Sequence, residues 1–304
     1  MHPRRCGIVT VRPVDLAGGQ PGIEQREQRD VTSGDQAATA AQSAGDLRVY
    51  GGFADLLKPE APWQIGGFAL PDGSFWQYRE PNAVVIAQAG RLRCSAVPLT
   101  RSHAQVQILD NAKHMYFSRE RFAVPAHGSI SFDVNIGARG VGTAPRDLYD
   151  GFVSYNLLDF ASGWALDFFV SNDTIATVYA RLPFPGVTVP ATGPVRYFAL
   201  FKELEIATTP GQRHDYRITY DHAGDAVSWY VDGALVNREE QVPDKLNGFT
   251  VAMGLMTEKD LGRDGSTSLH GQGLIGDWSA TTVSTDGAPI TSREAARFKG
   301  ERLA

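Results

Sequence analysis

The stretch from Gly211 to Val236, GQRHDYRITYDHAGDAVSWYVDGALV, restricts the possible folds of this chain more than any other. His214, Tyr216, Ile218 and Tyr220 alternate with Asp215, Arg217, Thr219 and Asp221, which is the period of a strand with two unlike faces. A second strand follows from Ala226 to Val231, with turn residues Asp221-His222-Ala223-Gly224-Asp225 between the two. Asp232-Gly233 supplies a further tight turn, because Asp and Gly tolerate the positive φ that hairpins require, and a third strand starts at Ala234.

About fourteen runs of this kind recur from Ala83 to Val283, separated by Pro, Gly, Asn and Asp. They include Arg91 to Val97, Ala104 to Leu109, Ser129 to Ala138, Phe152 to Leu158, Trp164 to Ser171, Thr174 to Leu182, Val195 to Glu203 and Phe249 to Met256. Almost no helical pattern lies between them, and the 32 glycines and 17 prolines suit many tight turns. The expected fold is therefore an all-β antiparallel sandwich of one domain over residues 47–285. Residues 1–46 are polar, small and aperiodic and are expected to be a disordered tail, with a short helix possible around Gln36 to Ser43. Residues 286–304 are expected to form a tail with a short helix capped by Ser292.

A net charge of −5 and a pI near 5.8 argue against a nucleic-acid partner, which selects for a basic face. Cys6 and Cys94 are far apart, and Cys94 alternates with Leu92 and Ala96 as a small buried residue would, so neither a disulfide framework nor a thiolate metal site is expected. No run approaches the roughly 20 apolar residues of a spanning helix, and the N-terminus lacks the apolar segment of a secretory signal. A soluble, cytoplasmic protein without membrane association is expected. Its histidines show no His-x-His or His-Glu-x-x-His spacing, so no metal or other cofactor is expected.

The order of features resembles a concanavalin A-like (lectin/glucanase) jelly roll: Tyr50, Phe53 and Trp63, then Gly90-Arg91-Leu92-Arg93, Trp229-Tyr230-Val231-Asp232-Gly233 and Gly276-Asp277-Trp278-Ser279. More narrowly, three stretches are similar to the actinobacterial family of unknown function DUF6081. They are Phe117-Ser118…Arg121-Phe122-Ala123-Val124-Pro125, Asp159-Phe160-Ala161-Ser162-Gly163-Trp164…Asp167-Phe168-Phe169, and Tyr179-Ala180-Arg181-Leu182-Pro183. The resemblance implies a fold and a lineage over roughly residues 48–284, and no activity. The Glu-x-Asp-x-x-Glu strand pattern of the best-known hydrolases on this fold is absent.

On such a fold the outer face of one sheet is the usual ligand groove. Alternation sends Ile130, Phe132, Val134 and Ile136 to the core and turns Asp133 and Asn135 away from it. It likewise sends Trp164, Leu166, Phe168 and Val170 inward and turns Asp167 and Phe169 outward. Asp167 and Asp133 are the candidate acid and base, as two carboxylates in unlike environments can divide those roles. Arg181 and Tyr179 are candidate positioning or charge-stabilising groups. The candidate substrate contacts are His103, Gln105, Gln107, His114, Asn135, Tyr155 and Trp164. An ion pair between Asp167 and Arg181 on the next strand is the competing structural role.

Gly137 to Gly142 is followed by Thr143-Ala144-Pro145 rather than a helix, so it is expected to be a loop that overhangs the groove with Asp147 to Asp150, not a phosphate cradle. Leu182 to Pro194 is expected to be either a rigid surface connection or a rim that closes over a hydrophobic ligand, and Glu258 to Gln272 a second mobile stretch. The function expected is a cofactor-free hydrolase, lyase or isomerase acting on a small, partly apolar molecule or glycoside, in specialised metabolism. The alternatives are a non-catalytic carbohydrate-binding module and an interaction protein that uses the sandwich as a surface.

Overall fold

The computed structural model describes residues 47–56, 58–69, 73–101, 111–182, 198–240, 242, 244–259 and 269–285. The expectations for residues 1–46, 102–110, 183–197, 260–268 and 286–304 lie outside the described residues. Among the described residues eighteen strands follow one another: β1 (Leu47–Tyr50), β2 (Trp63–Ile65), β3 (Gly67–Ala69), β4 (Phe75–Gln77), β5 (Val84–Gln88), β6 (Arg91–Ala96), β7 (Lys113–Ala123), β8 (Ser129–Val141) and β9 (Phe152–Asp159). Then come β10 (Trp164–Val170), β11 (Ile175–Arg181), β12 (Phe198–Glu203), β13 (Arg213–Asp221), β14 (Ala226–Val231), β15 (Ala234–Glu240), β16 (Gly248–Met256), β17 (Gly273–Ser279) and β18 (Thr281–Thr285).

The strands form two large antiparallel sheets, and β3 and β4 form a small hairpin. One large sheet has seven strands in the order β12-β11-β10-β9-β16-β7-β2. The other has nine: β15-β14-β13-β8-β17-β6-β5, with β18 sharing the β17 side of β8 and β1 paired to β18. Gly137 to Val141, expected as a loop, continues β8 as a strand paired with β17. Glycine serves here because backbones and side chains come close: a Cβ at Gly137 would lie 3.0 Å from Cγ of Arg213, which crosses over this point.

The organising hairpin forms as its alternation requires, with Tyr216 opposite Val231 and Tyr220 opposite Val227. Asp221 Oδ1 accepts from the backbone N–H groups of Ala223 and Gly224, which closes the first turn. Asp232 and Gly233 both adopt positive φ, 49° and 82°, the conformation of the turn type that matches strand twist. Asp232 also accepts from the backbone N–H of Asp215 and bonds Nδ1 of His214 at 2.7 Å.

Side chains from both sheets fill the space between them. Phe122 and Phe249 of the seven-stranded sheet meet Phe132 and Tyr220 of the nine-stranded sheet edge-on, with ring centroids 5.6–5.8 Å apart. Trp278 is buried there too and donates from Nε1 to the backbone oxygen of Ser154 across the layer. At one flank Lys202 of β12 donates to Val236 O and Asn237 Oδ1 of β15, and Asn237 donates to Thr177 Oγ1 of β11.

On the outside of the nine-stranded sheet, Asp277 collects Arg91 at 2.5 Å, Arg213 at 2.6 Å and Arg93 at 3.2 Å. Burial pushes its carboxyl up, but the Arg91 and Arg213 guanidiniums outweigh that and hold it below the usual carboxylate range. A depressed native pKa contributes stability that is present above the unfolded carboxylate pKa of about 3.9 and is lost as pH falls through the native value. Asp277→Ala is expected to lower stability by about 1–3 kcal/mol at pH 7 and to flatten its decline below pH 4, as chemical denaturation across that range would measure.

Candidate functional site

The seven-stranded sheet carries a second buried apolar cluster on the side away from its partner sheet. It includes Met115, Phe152, Leu158, Ala165, Phe169, Val178, Ala252 and Met256, with Tyr78 and Leu148 from outside the sheet. β9 and β10 are buried along their whole length on both faces. Most of their polar side chains therefore sit on this outer side, away from the inter-sheet core.

Cross-strand pairing sets one row straight across all seven strands: Phe201, Val178, Asp167, Asn156, Ala252, Phe117 and Gln64. Two turns fix it. Asp159 accepts from Ser162 Oγ and the Ala161 N–H, and Gly163 takes a φ of 83°, so β10 turns back tightly on β9. Ser171 N–H then donates to Thr174 O, turning β10 into β11. Around Asp167 many neighbouring outward positions are small, Ala165, Ala180, Ala176, Ser154, Gly254 and Ala252, while Phe169 and Leu158 are the large ones. The row thus has Asp167 and Asn156 at its middle and the rings of Phe201 and Phe117 toward its ends.

Asp167 is 5 % exposed, and its Oδ1 is buried without a hydrogen-bond partner. Asn156 is directly opposite, but its amide is turned to Ser154 Oγ at 2.9 Å and Ala252 O at 3.2 Å. Burial, with the charge of Glu258 added, holds the Asp167 carboxyl well above the usual carboxylate range. Glu258 follows β16 and is anchored by its backbone N–H to Tyr149 O. The Tyr149 ring packs edge-on against Phe201. A carboxyl held above its usual range keeps its proton to higher pH, and a protonated carboxyl is both donor and acceptor; the Glu258 charge adds to the rise.

The other expected site residues are placed elsewhere. Asp133 points outward as its alternation requires, but from the nine-stranded sheet, so it is on the opposite side of the molecule from Asp167. There Arg217 grips it at 2.6 and 3.3 Å; burial raises its carboxyl pKa and Arg217 pulls against that rise. Asn135 shares that far face and donates to Asp215. Asp133→Asn is expected to cost about 1–3 kcal/mol in a melt, as removal of one partner of a buried charge-assisted hydrogen bond does.

Arg181 and Tyr179 lie on β11 but face the inter-sheet core, because Asp167 is opposite Val178 and not opposite either of them. The expected Asp167–Arg181 ion pair therefore does not form: Arg181 pairs with Asp244 at 3.2 Å and donates to Ser162 O. Tyr179 packs on Trp164, and burial pushes its phenol up to about 12. Trp164 and Tyr155 are core residues, bonded to Asp244 and to Thr281 Oγ1. His114 lies on the inner side of β7 at the margin of the sandwich. His103, Gln105 and Gln107 lie outside the described residues.

Sequence reasoning missed Ser154, Asn156 and Glu258. The first two carried a signal, since they alternate with Val153, Tyr155 and Leu157, which face the core. Of the expected rims, Asp147 to Asp150 holds a short 3-10 turn in which Asp147 pairs with Lys259, while Asp150 pairs with His270 at 2.9 Å and accepts from Ala144 N–H. Among the described residues, no group of three His, Cys, Asp or Glu side chains is placed to hold a metal ion, and no helix is long and apolar enough to cross a membrane.

Two facing antiparallel sheets make the protein an all-β antiparallel sandwich. Residues 50–287 match the family of unknown function DUF6081, and the chain belongs to that family. The chain path is similar to that of the Bacillus licheniformis β-glucanase (14% identity, TM-score 0.47, covering 81% of this chain and 99% of that one). It is similar as well to the endo-1,3-β-glucanase of Streptomyces sioyaensis (14% identity, TM-score 0.46, 81% and 99%) and to the Emp47p carbohydrate recognition domain (11% identity, TM-score 0.43, 78% and 94%). No curated protein matches the sequence.

Proposed function

We propose that the outer face of the seven-stranded sheet binds a glycoside or a similarly hydroxylated, partly apolar molecule, and that Asp167 acts on it as a general acid. The observation that carries this reading is the unpartnered Oδ1 of a buried carboxyl, raised in pKa, at the centre of the row. A buried polar group without a partner costs about 1–3 kcal/mol, and such a cost points to a group kept for a ligand. Glu258 is the counterpart carboxylate, in a more exposed setting, and the pair has the divided environments that acid–base chemistry on a glycosidic oxygen requires. Phe117 and Phe201, both partly buried, stand toward the two ends of the row as its aromatic flanks.

A non-catalytic carbohydrate-binding role is the second reading. It draws support from β10 itself, where the outward positions on either side of Asp167 are Ala165 and Phe169, so the strand brings no second carboxylate. Alkyl glycosides separate the two, because their leaving group needs protonation. Product release by the wild-type protein, falling about 10²–10⁴-fold in Asp167→Asn with glycan-array binding retained, supports the enzyme. Glycan binding without product, followed by mass spectrometry, selects the binding module. Neither binding nor product across the array and the glycoside panel would remove the reading altogether.

A further inference from the structure

A separate cleft of about 400 Å³ opens at the margin of the sandwich, between the short turn Phe53–Asp55, β5 and β7. Its walls are apolar, formed by Phe53, Leu56, Ala83, Val85 and Ala87. Three hydrogen-bond donors line it: Arg79, His114 and Tyr116. His114 is 4 % exposed, and its Nδ1 accepts from the backbone N–H of Glu80 at 3.2 Å. In a neutral imidazole that bond leaves the proton on Nε2, which is buried with no acceptor. Burial, with the nearby Arg79 charge, lowers the His114 pKa to about 4, so the ring is neutral at pH 7.

Tyr116 stacks edge-on against His114, and burial raises its phenol to about 12, so it keeps its proton and can donate. Arg79 lines the same cleft, its charge bears on both rings, and it is exposed. The one acid that lines the cleft, Glu80, is 1 % exposed and already saturated by Thr100 N–H, Thr100 Oγ1 and Arg101 N–H. The corner thus offers donors and a positive charge, with its one acid already bonded, at the end of an apolar trough.

We propose that this cleft binds a small carboxylic acid with an apolar tail, its carboxylate held by Arg79, His114 and Tyr116 and its tail along Phe53, Leu56 and Val85. The site is independent of the Asp167 face. Isothermal titration of sodium octanoate, with 1-octanol as the uncharged control, tests it. The expected result is saturable octanoate binding that weakens at least 10-fold in Arg79→Gln and in His114→Phe, weaker binding of octanol, and unchanged octanoate binding in Asp167→Asn. Arg79 is exposed, so Arg79→Gln decides the matter if His114→Phe fails to fold. Absence of saturable octanoate binding would overturn the proposal. So would equal affinity for octanol, no effect of Arg79→Gln, or loss of octanoate binding in Asp167→Asn.

Discussion

Asp167→Asn is expected to melt at a higher temperature than the wild-type protein at pH 7 while losing the activity proposed for the outer face. The carboxyl is buried, its Oδ1 has no partner, and burial raises its pKa in the folded state. A raised native pKa means that the folded chain holds this proton to higher pH than the unfolded chain does. Its stabilising contribution is complete below the unfolded pKa of about 3.9 and is lost as pH rises toward the native value. Asparagine has the same shape and no such dependence. The difference in stability between variant and wild type should therefore be small near pH 4 and grow toward pH 7, to about 1–3 kcal/mol. For a domain of this size each kcal/mol moves the midpoint by about 2–4 °C. Melts of both proteins from pH 4 to pH 8 check this, and a variant that is less stable at every pH would show that Asp167 has a structural role. A gain in stability coupled to a loss of function is the pattern of a site kept at a cost to the fold.

Trp278→Ala is expected to cost about 3–5 kcal/mol, the range for emptying a large aromatic site in a packed core. The indole is 1 % exposed, lies on β17 opposite Leu92 and Ile136, and donates across the layer to β9 at 3.2 Å. It also folds over its own strand: a Cβ on Gly276 would sit 2.3 Å from the ring, so only glycine fits beneath it. Alanine therefore leaves a hole that backbone cannot fill and removes a cross-sheet donor. Trp278→Phe should recover most of the packing and less of the stability, because it restores the ring without the N–H. Guanidinium unfolding of the three proteins gives the comparison, and a loss below about 1 kcal/mol for alanine would mean that the two sheets are not held together at this point.

The sandwich and its central hairpin were legible because alternation is local. Each strand of the Gly211–Val236 stretch reports its own two faces, and β13 buries His214, Tyr216, Ile218 and Tyr220 as its pattern requires. Alternation also placed Asp133 and Asp167 correctly as outward residues. It could not say from which sheet each one points, since that depends on strand order, and β8 and β10 belong to different layers. Arg181 and Tyr179 failed for a narrower reason: Asp167 pairs with Val178, and a difference of one residue in register moves every partner to the other face. In β9 the contrast between faces is weak because all eight residues are buried, which hid Ser154 and Asn156 behind Tyr155. The glycines of β8 read as a loop because their use, room for Arg213 and for Thr143, depends on residues elsewhere in the chain. Glu258 reaches Asp167 only through the closed sheet, so no nearby residue announces it.

The Lys202 clamp bears on what this molecule does in a crowded solution. β12 and β15 are the outermost strands of their layers on the same flank, and the lysine of one occupies a carbonyl of the other. β15 ends in Arg238, Glu239 and Glu240, and a foreign strand laid along it would have to desolvate those charges. An intruding chain would thus find a charged border with one backbone acceptor already taken, which guards this flank against sheet-by-sheet growth into fibrils.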